Sequence, residues 1–393
     1  MLRVAVIGAG AAGCFCAAEV LGRMPHARVT LFERAGRPMG KLAVTGGGRC
    51  NLSNTFAEIR ALSQAYPRGE RVMQRALKAF SPEDACRWFA ARGVPVTVQP
   101  DQCIFPRSQD AMDVVHCLEK ALHGAELRLG HPVRDIRKEG AFFSVDGEPF
   151  DRVVVTSGGT PQGLPFLQAL DIALVPPVPS LFTFNIPDPA LRALMGLVVP
   201  ATLSIPGTAF RASGPLLLTD WGFSGPATLR LSSYAARYLA EKQYRAPLSV
   251  NWMNRAENEV RALLQEVLAA HPQQQLRTVR TGLPARLWAC LVQRAGLRED
   301  IRCSEVGSKG LNRLTATLTA DNCRIEGKCK FREEFVTAGG VALEEIRLNT
   351  LESKRWKGLY FAGEVLDVDA VTGGFNLQAA WSTAYVVAQN LCL

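Results

Sequence analysis

The apolar positions near the start of the chain predict a strand, a turn and a helix in quick succession. Val4–Ile7 is continuously apolar and runs into Gly8-Ala9-Gly10-Ala11-Ala12-Gly13. So short an apolar run, bounded by glycine, reads as a buried strand. Ala11–Leu21 follows with small residues and helical spacing, and Val29–Phe32 is a second strand that stops at Glu33. Together they make one βαβ unit. Residues 36–56 carry neither period and read as a loop. Glu70–Phe80 and Pro82–Ala91 have helical spacing, with Ser81 placed to cap the second ahead of a proline. Ala111–His123 predicts another helix. Short β-like runs follow at Glu126–Leu129, Val133–Arg137, Ala141–Val145 and Val153–Thr156.

Prolines then cluster at Pro176, Pro177, Pro179, Pro187 and Pro189, the strongest boundary signal in the chain. Beyond them Leu197–Ile205, Leu216–Thr219 and Leu248–Trp252 read as strands and Ala227–Lys242 as a helix. From Ala256 to Ala295 the period is helical, broken at His271-Pro272 and Gly282–Pro284, and Leu311–Thr319 adds a further helical segment. From Phe331 the strand-and-glycine character of the beginning returns, ending in a helix over Leu377–Leu391. The expected class is α/β, a Rossmann-like domain built from both chain ends, residues 1–187 and 331–393. It is interrupted by an insertion at 188–330, β-rich over 188–252 and helical over 253–330.

Composition narrows the class. The 393 residues are 48% apolar and 21% charged, a balance that folds and is too apolar for a disordered chain. No run of about 18 apolar residues is free of charge and glycine, so no transmembrane helix is predicted. The apolar N-terminus meets three glycines within six positions, which suits a strand and turn and not a signal peptide. Eleven scattered cysteines, none in a CxxC pair, read as reduced thiols in a cytoplasmic chain. The five histidines do not cluster, and no metal site is expected. The net charge is +9, and residues 205–330 alone hold 18 Lys and Arg against 10 Asp and Glu. Such a surplus is either a solvated face or a contact for a polyanion such as RNA.

Three motifs carry chemistry. In the first, Gly8 permits the tight turn, Gly10 lets a pyrophosphate approach the backbone, and Gly13 lets helix and strand pack closely. The helix N-terminus offers free N–H groups to the diphosphate. Glu33, 20 residues after Gly13, can accept hydrogen bonds from ribose hydroxyls, and its charge disfavours a 2′-phosphate. FAD or NAD remains. The second motif is Lys41-Leu42-Ala43-Val44-Thr45-Gly46-Gly47-Gly48-Arg49-Cys50-Asn51. Its glycines expose backbone to a flat partner such as a flavin, and Arg49 and Asn51 add donors for developing negative charge. The third runs from Gly358 through Gly363-Glu364, Asp367 and Asp369 to Gly373-Gly374-Phe375-Asn376-Leu377-Gln378, and opens a second helix N-terminus towards the cofactor.

Val153-Val154-Val155-Thr156-Ser157-Gly158-Gly159 resembles the strand-to-glycine turn of two-dinucleotide-binding-domain flavoproteins. More narrowly, Thr45–Asn51, Asp220-Trp221-Gly222-Phe223-Ser224-Gly225-Pro226-Ala227, Leu351-Glu352-Ser353-Lys354 and Gly363–Asp369 are similar to the HI0933-like (BaiN/YhiN-type) flavoproteins. The resemblance runs from residue 3 to the C-terminus. It implies an FAD domain with a part-β, part-helical insertion. It also implies a reductase class whose proposed substrates range from unsaturated steroid-like molecules to uracil in ribosomal RNA. Trp221 and Asn349-Thr350-Leu351 depart from the family pattern, which tends to His and to Thr-Met there. Cofactor contacts are expected at Gly8, Gly10, Ala12, Gly13, Glu33, Lys41, Thr45, Gly46, Gly47, Arg49, Val133, Ser157, Gly158, Gly363, Glu364, Asp369, Gly373, Gly374, Asn376 and Leu377.

No second GxGxxG follows a strand, so NAD(P)H docks transiently over the flavin or another reductant serves. Reduction of a polarised double bond needs a hydride at one carbon and a proton at the other. Cys50 is the leading candidate for the acid, flanked by Arg49 and Asn51, with Asp367 and Asp369 as further candidates. A non-catalytic flavin-bearing protein that grips RNA is the competing reading.

Overall fold

In the computed structural model, which describes residues 1–159, 165–298, 300–328 and 336–392, the first apolar run becomes the centre of a five-stranded sheet. Its order is Leu359–Phe361, Arg152–Val155, Arg3–Ile7, Arg28–Phe32, Glu126–Arg128, and every pairing is parallel. Val4, Val6, Leu31 and Val153–Val155 are fully buried, as continuous apolar strands must be when both faces of a parallel sheet are covered. The helices Ala11–Arg23 and Phe375–Leu391 pack on each other through Phe15 and Trp381, whose rings are 5.5 Å apart. A three-stranded antiparallel sheet, Ile136–Glu139, Phe142–Val145 and Glu148–Phe150, belongs to the same unit. The strand expected at Val133–Arg137 thus begins three residues later, and Val133 lies in the loop before it.

The chain divides into two compact units, Met1–Val178 with Val336–Leu393, and Pro179–Phe335. The division falls nine residues before the expected boundary at 187, and the proline cluster is not a linker throughout. Leu174–Ser180, containing Pro176, Pro177 and Pro179, is a strand paired with Val336–Val341 in a two-stranded sheet. Proline donates no N–H, and a strand with one partner tolerates it. The return at Phe331 lies outside the described residues.

In the second unit, six antiparallel strands run in the order Phe184–Asn185, Gly222–Ser224, Arg211–Leu218, Val198–Ser204, Arg245–Asn251, Asp321–Glu326. The two ends meet, since Phe184 bridges Lys328 and the Asn185 N–H donates to the Gly327 carbonyl at 2.8 Å. The sheet therefore closes on itself and leaves no free edge there. Asp321–Glu326 fell in the stretch expected to be helical. Its partner, Arg245–Asn251, lies far upstream, a pairing that local periodicity does not report. Glu257–Ala270, Ala285–Arg294 and Gly307–Ala320 are the helices, and Trp252 and Trp288 are buried in the core. Among the described residues no helix is long and apolar enough to cross a membrane.

Two of the motif blocks, residues 220–227 and 351–354, have clear structural roles. A Cβ at Gly222 would lie 2.4 Å from the Phe184 carbonyl oxygen, and one at Gly225 would lie 2.9 Å from that of Pro215. Glu352 accepts from the Gly358 N–H at 2.8 Å, and the Ser353 hydroxyl accepts from Trp356 N–H at 3.1 Å, which shapes the turn into the edge strand.

The first helix lies as close to the sheet as backbone allows. A Cβ at Gly13 would sit 1.9 Å from the Gly8 carbonyl oxygen and 2.6 Å from Thr156 Oγ1. Gly13→Ala is expected to lower stability by about 1–3 kcal/mol or more, because the obstacle is backbone and cannot rotate away. Denaturant unfolding checks this, and an unchanged midpoint would show that the helix shifts freely.

Candidate functional site

The helix Ala11–Arg23 starts at Gly10, which offers no side-chain cap, so its first N–H groups have no partner inside the helix. Two other helices of the same unit are capped by side chains: Ser81 accepts from Asp84 N–H at 3.2 Å and Asp110 from Met112 N–H at 2.8 Å. A Cβ at Gly10 would meet nothing within 4 Å, so the space before this positive helix end is open. Glu33 caps the strand beside it. Its Oε2 accepts from the Ala9 N–H and its Oε1 from the Ala35 N–H, both at 2.9 Å. The carboxylate therefore holds the glycine loop in addition to the ribose role read from its spacing, and each oxygen keeps a second lone pair. The His131 N–H donates to the Glu33 carbonyl at 2.8 Å, which brings the loop carrying half-buried Val133 alongside.

The second motif is not a featureless loop. Gly40–Gly48 starts as a helix and breaks at Thr45, whose ψ is 147°; Gly46, Gly47 and Gly48 then take φ of +59°, +69° and +82°. Three successive left-handed residues require glycine. A Cβ at Gly47 or Gly48 would meet nothing within 4 Å, so bare backbone is presented to a flat partner. Thr45 ends the helix by donating to the Leu42 carbonyl at 2.8 Å. Arg49 is exposed, donates to the Gly46 carbonyl at 3.3 Å and lies 4.7 Å over the Phe105 ring.

The third motif joins these elements. A Cβ at Gly363 would be 2.7 Å from the Ala12 Cβ, so this turn packs against the first turn of the first helix. Glu364 accepts from Lys41 Nζ at 3.1 Å and from the Thr337 N–H at 2.8 Å, and its Oε2 lies 3.7 Å from where a Cβ on Gly158 would be. Half-buried Ser157 adjoins that glycine, and Thr156 ties the strand end to the Gly8 carbonyl at 2.8 Å. The C-terminal helix begins at Gly374, φ +89°, again without a side-chain cap, leaving the N–H groups of Phe375, Asn376 and Leu377 without helical acceptors. The Asn51 amide donates to the Ser53 carbonyl at 3.0 Å and accepts from the Gly374 N–H at 3.1 Å. Asn54 donates to the Gly373 carbonyl at 2.9 Å. Motifs two and three are thus tied together by hydrogen bonds.

Three expectations need correction. Cys50 is fully buried, and burial pushes its thiol up to about 12, so it stays protonated and enclosed. A side chain with no surface cannot hand a proton to a substrate, and Cys50 is removed as the acid. Its φ of +59° and the bond from its N–H to the Thr45 carbonyl make it part of the turn. Asp369 is 1% exposed and forms an ion pair with Arg68, so its side chain is engaged in bracing the loop. The Asn376 side chain folds back onto Ala370, accepting from its N–H at 2.9 Å and donating to its carbonyl at 3.0 Å. Sequence reading missed Tyr66, Arg68, Asn54 and Thr337, none of which stands in a glycine motif.

The residues present fit FAD: two uncapped helix N-termini, an open space at Gly10, a carboxylate at the end of the second strand and an uncovered glycine turn. They define the class, an FAD-dependent oxidoreductase on a Rossmann-like scaffold. The chain belongs to the HI0933-like family, whose Rossmann-domain model matches residues 2–390. It is 31% identical over 405 aligned positions to the ribosomal RNA dihydrouridine synthase of Escherichia coli (strain K12), covering 98% of this chain and 97% of that protein. It is 28% identical over 408 positions to the 3-dehydro-bile acid delta(4,6)-reductase of Clostridium scindens, covering 99% and 98%. Among solved structures, a variant of Escherichia coli quinol fumarate reductase FrdA shares the fold with a TM-score of 0.50 at 14% identity, over 100% of this chain and 70% of that one.

Gly10→Val is expected to leave the melting temperature of the apo-protein within a few degrees of wild type, because its Cβ points into open space, while FAD binding is lost. Apo-protein melting and FAD titration read the two effects separately, and normal FAD binding by this variant would place the pyrophosphate elsewhere.

Proposed function

We propose that this protein reduces a carbon–carbon double bond conjugated to a carbonyl, with NAD(P)H as electron donor, and that the bond is C5–C6 of a uracil in ribosomal RNA. The observation that carries the reading is the FAD-fitting site in a chain matched end to end by two double-bond reductases, one of them named for dihydrouridine. FAD, when bound and reduced, supplies the hydride for one carbon. The protein's own contribution is placement and a proton. The first helix N-terminus would hold the diphosphate, Glu33 the ribose, and the left-handed glycines would bear the ring. The N-terminus of Phe375–Leu391 favours negative charge on the ring's pyrimidine edge. Of the three acids considered from sequence, only Asp367 is not buried, and it takes the proton-donor role.

The charge surplus of the second unit favours RNA over a small alkene, though not through every arginine. Arg294 is internal: its guanidinium pairs with Asp321 at 2.8 Å and also with Asp188. Arg298 pairs with Asp300 at 3.2 Å, and Arg302 donates to Gln273 at 2.9 Å. Removing Arg294 would disturb the core before it tested RNA. Lys309 and Arg313 are exposed one helical turn apart on Gly307–Ala320 and form a better probe.

Comparing dihydrouridine in ribosomal RNA with and without the gene tests the substrate directly. Unchanged RNA together with NAD(P)H-driven turnover of a steroid-like enone would replace uracil by a small alkene. Asp367→Asn is expected to cut turnover by about 10²–10⁴ with full FAD content, the usual weight of a general acid. Replacing Lys309 and Arg313 with Ala should weaken RNA binding and lower the salt slope by about 2, with the flavin spectrum intact. An unchanged slope would make this helix face a merely solvated one.

A further inference from the structure

The loop Asp367–Gly374 carries the glycines that open the C-terminal helix, and it is held by a segment with no glycine motif of its own, Ala65–Gly69. Four separate contacts join them. The Val371 N–H donates to the Ala65 carbonyl at 2.9 Å, and the Tyr66 hydroxyl donates to the Phe375 carbonyl at 2.9 Å. Arg68 and Asp369 form both an antiparallel backbone bridge and a two-pronged ion pair. Gly69, at φ +82°, lies so close to Val368 that a Cβ there would fall 2.4 Å from Cγ2. Tyr66 is fully buried, the Asp369 side chain is 0% exposed and that of Arg68 12%.

A buried ion pair is a costly way to gain stability, because both charges must leave water. Its distinctive property is geometric: a planar guanidinium gripping a carboxylate with two parallel bonds fixes direction as well as distance. Here the grip falls on the loop whose next residues are the uncapped N–H groups of Phe375, Asn376 and Leu377. On the other flank Asn51 and Asn54 bond to Gly374 and Gly373. Those two residues follow the glycine turn directly and share its folding. Ala65–Gly69 is a separate brace.

We propose that Arg68 is a positioning residue for the flavin: through Asp369 it sets the direction of the C-terminal helix N-terminus, and with it the preference of the site for reduced over oxidised FAD. This rests on the reading that the first unit holds FAD. A helix end aimed at the pyrimidine edge stabilises the anionic reduced ring more than the neutral oxidised one. A loosened loop loses that difference first, whereas total binding also draws on the diphosphate and ribose contacts.

The experiment uses the full chain with FAD and three variants: Tyr66→Phe, Arg68→Lys, and Arg68→Gln combined with Asp369→Asn, a neutral pair of similar shape. Midpoint potential, FAD dissociation constant and apo-protein melting temperature are read for each. The neutral pair is expected to hold FAD in full stoichiometry and to lose about tenfold of the preference for reduced flavin, a fall of about 30 mV for a two-electron couple. Arg68→Lys is expected to recover part of that loss, and Tyr66→Phe to show a smaller fall in the same direction. Variants that melt earlier but keep the wild-type potential would overturn the proposal and leave Arg68 an ordinary structural residue. Should the neutral pair fail to fold, Tyr66→Phe and Arg68→Lys decide alone, and wild-type potentials in both would again overturn it. A wild-type protein that binds no FAD would instead sink the cofactor reading itself, so the two failures are told apart.

Discussion

The structure of the first unit depends on the absence of a single methyl group. With hydrogen at Gly13, the first helix settles against the Gly8 carbonyl and the Thr156 hydroxyl. Its N-terminus then stands at the ends of the parallel strands, where unpaired N–H groups and the positive helix end favour an anion. The same close approach brings Ala12 against Gly363, so the C-terminal turn is located by contact with the first helix and not by anything near it in sequence. Glu33, which bonds the Ala9 N–H, holds the glycine loop in the conformation that this packing needs.

From that contact the rest of the site follows by hydrogen bonds. Glu364 gathers Lys41 and Thr337, and Asn51 and Asn54 fasten the left-handed glycine turn to Gly373 and Gly374. Two helices meet a common region with bare N-termini, while Ser81 and Asp110 cap two other helices of the unit. An uncapped helix end leaves N–H groups without a protein partner, and two such ends at one place can receive a ligand's anionic and polar groups. The second unit has other priorities. Its sheet closes on itself, and one of its arginines, Arg294, is spent on Asp188 and Asp321.

The sequence by itself determined the βαβ unit, because a buried parallel strand, a glycine turn and a small-residue helix are local patterns with one physical solution. It also determined the helix start at Ser81 and the C-terminal helix, and it singled out Glu33, Lys41, the glycines and Glu364, of which the fold ties Glu33 to the glycine loop and Lys41 to Glu364. Cys50 was misread because its neighbours are site residues, whereas burial is set by chain segments the motif does not contain. Asp369 was misread for the same reason, since its partner Arg68 lies 301 positions away. The strands Leu174–Ser180 and Asp321–Glu326 were hidden because sheet partners are non-local, and prolines or weak alternation mask the signal. Tertiary structure alone decided which polar side chains face outward and which are consumed in holding the site. That choice depends on desolvation and on partners from distant segments, and one-dimensional spacing carries neither.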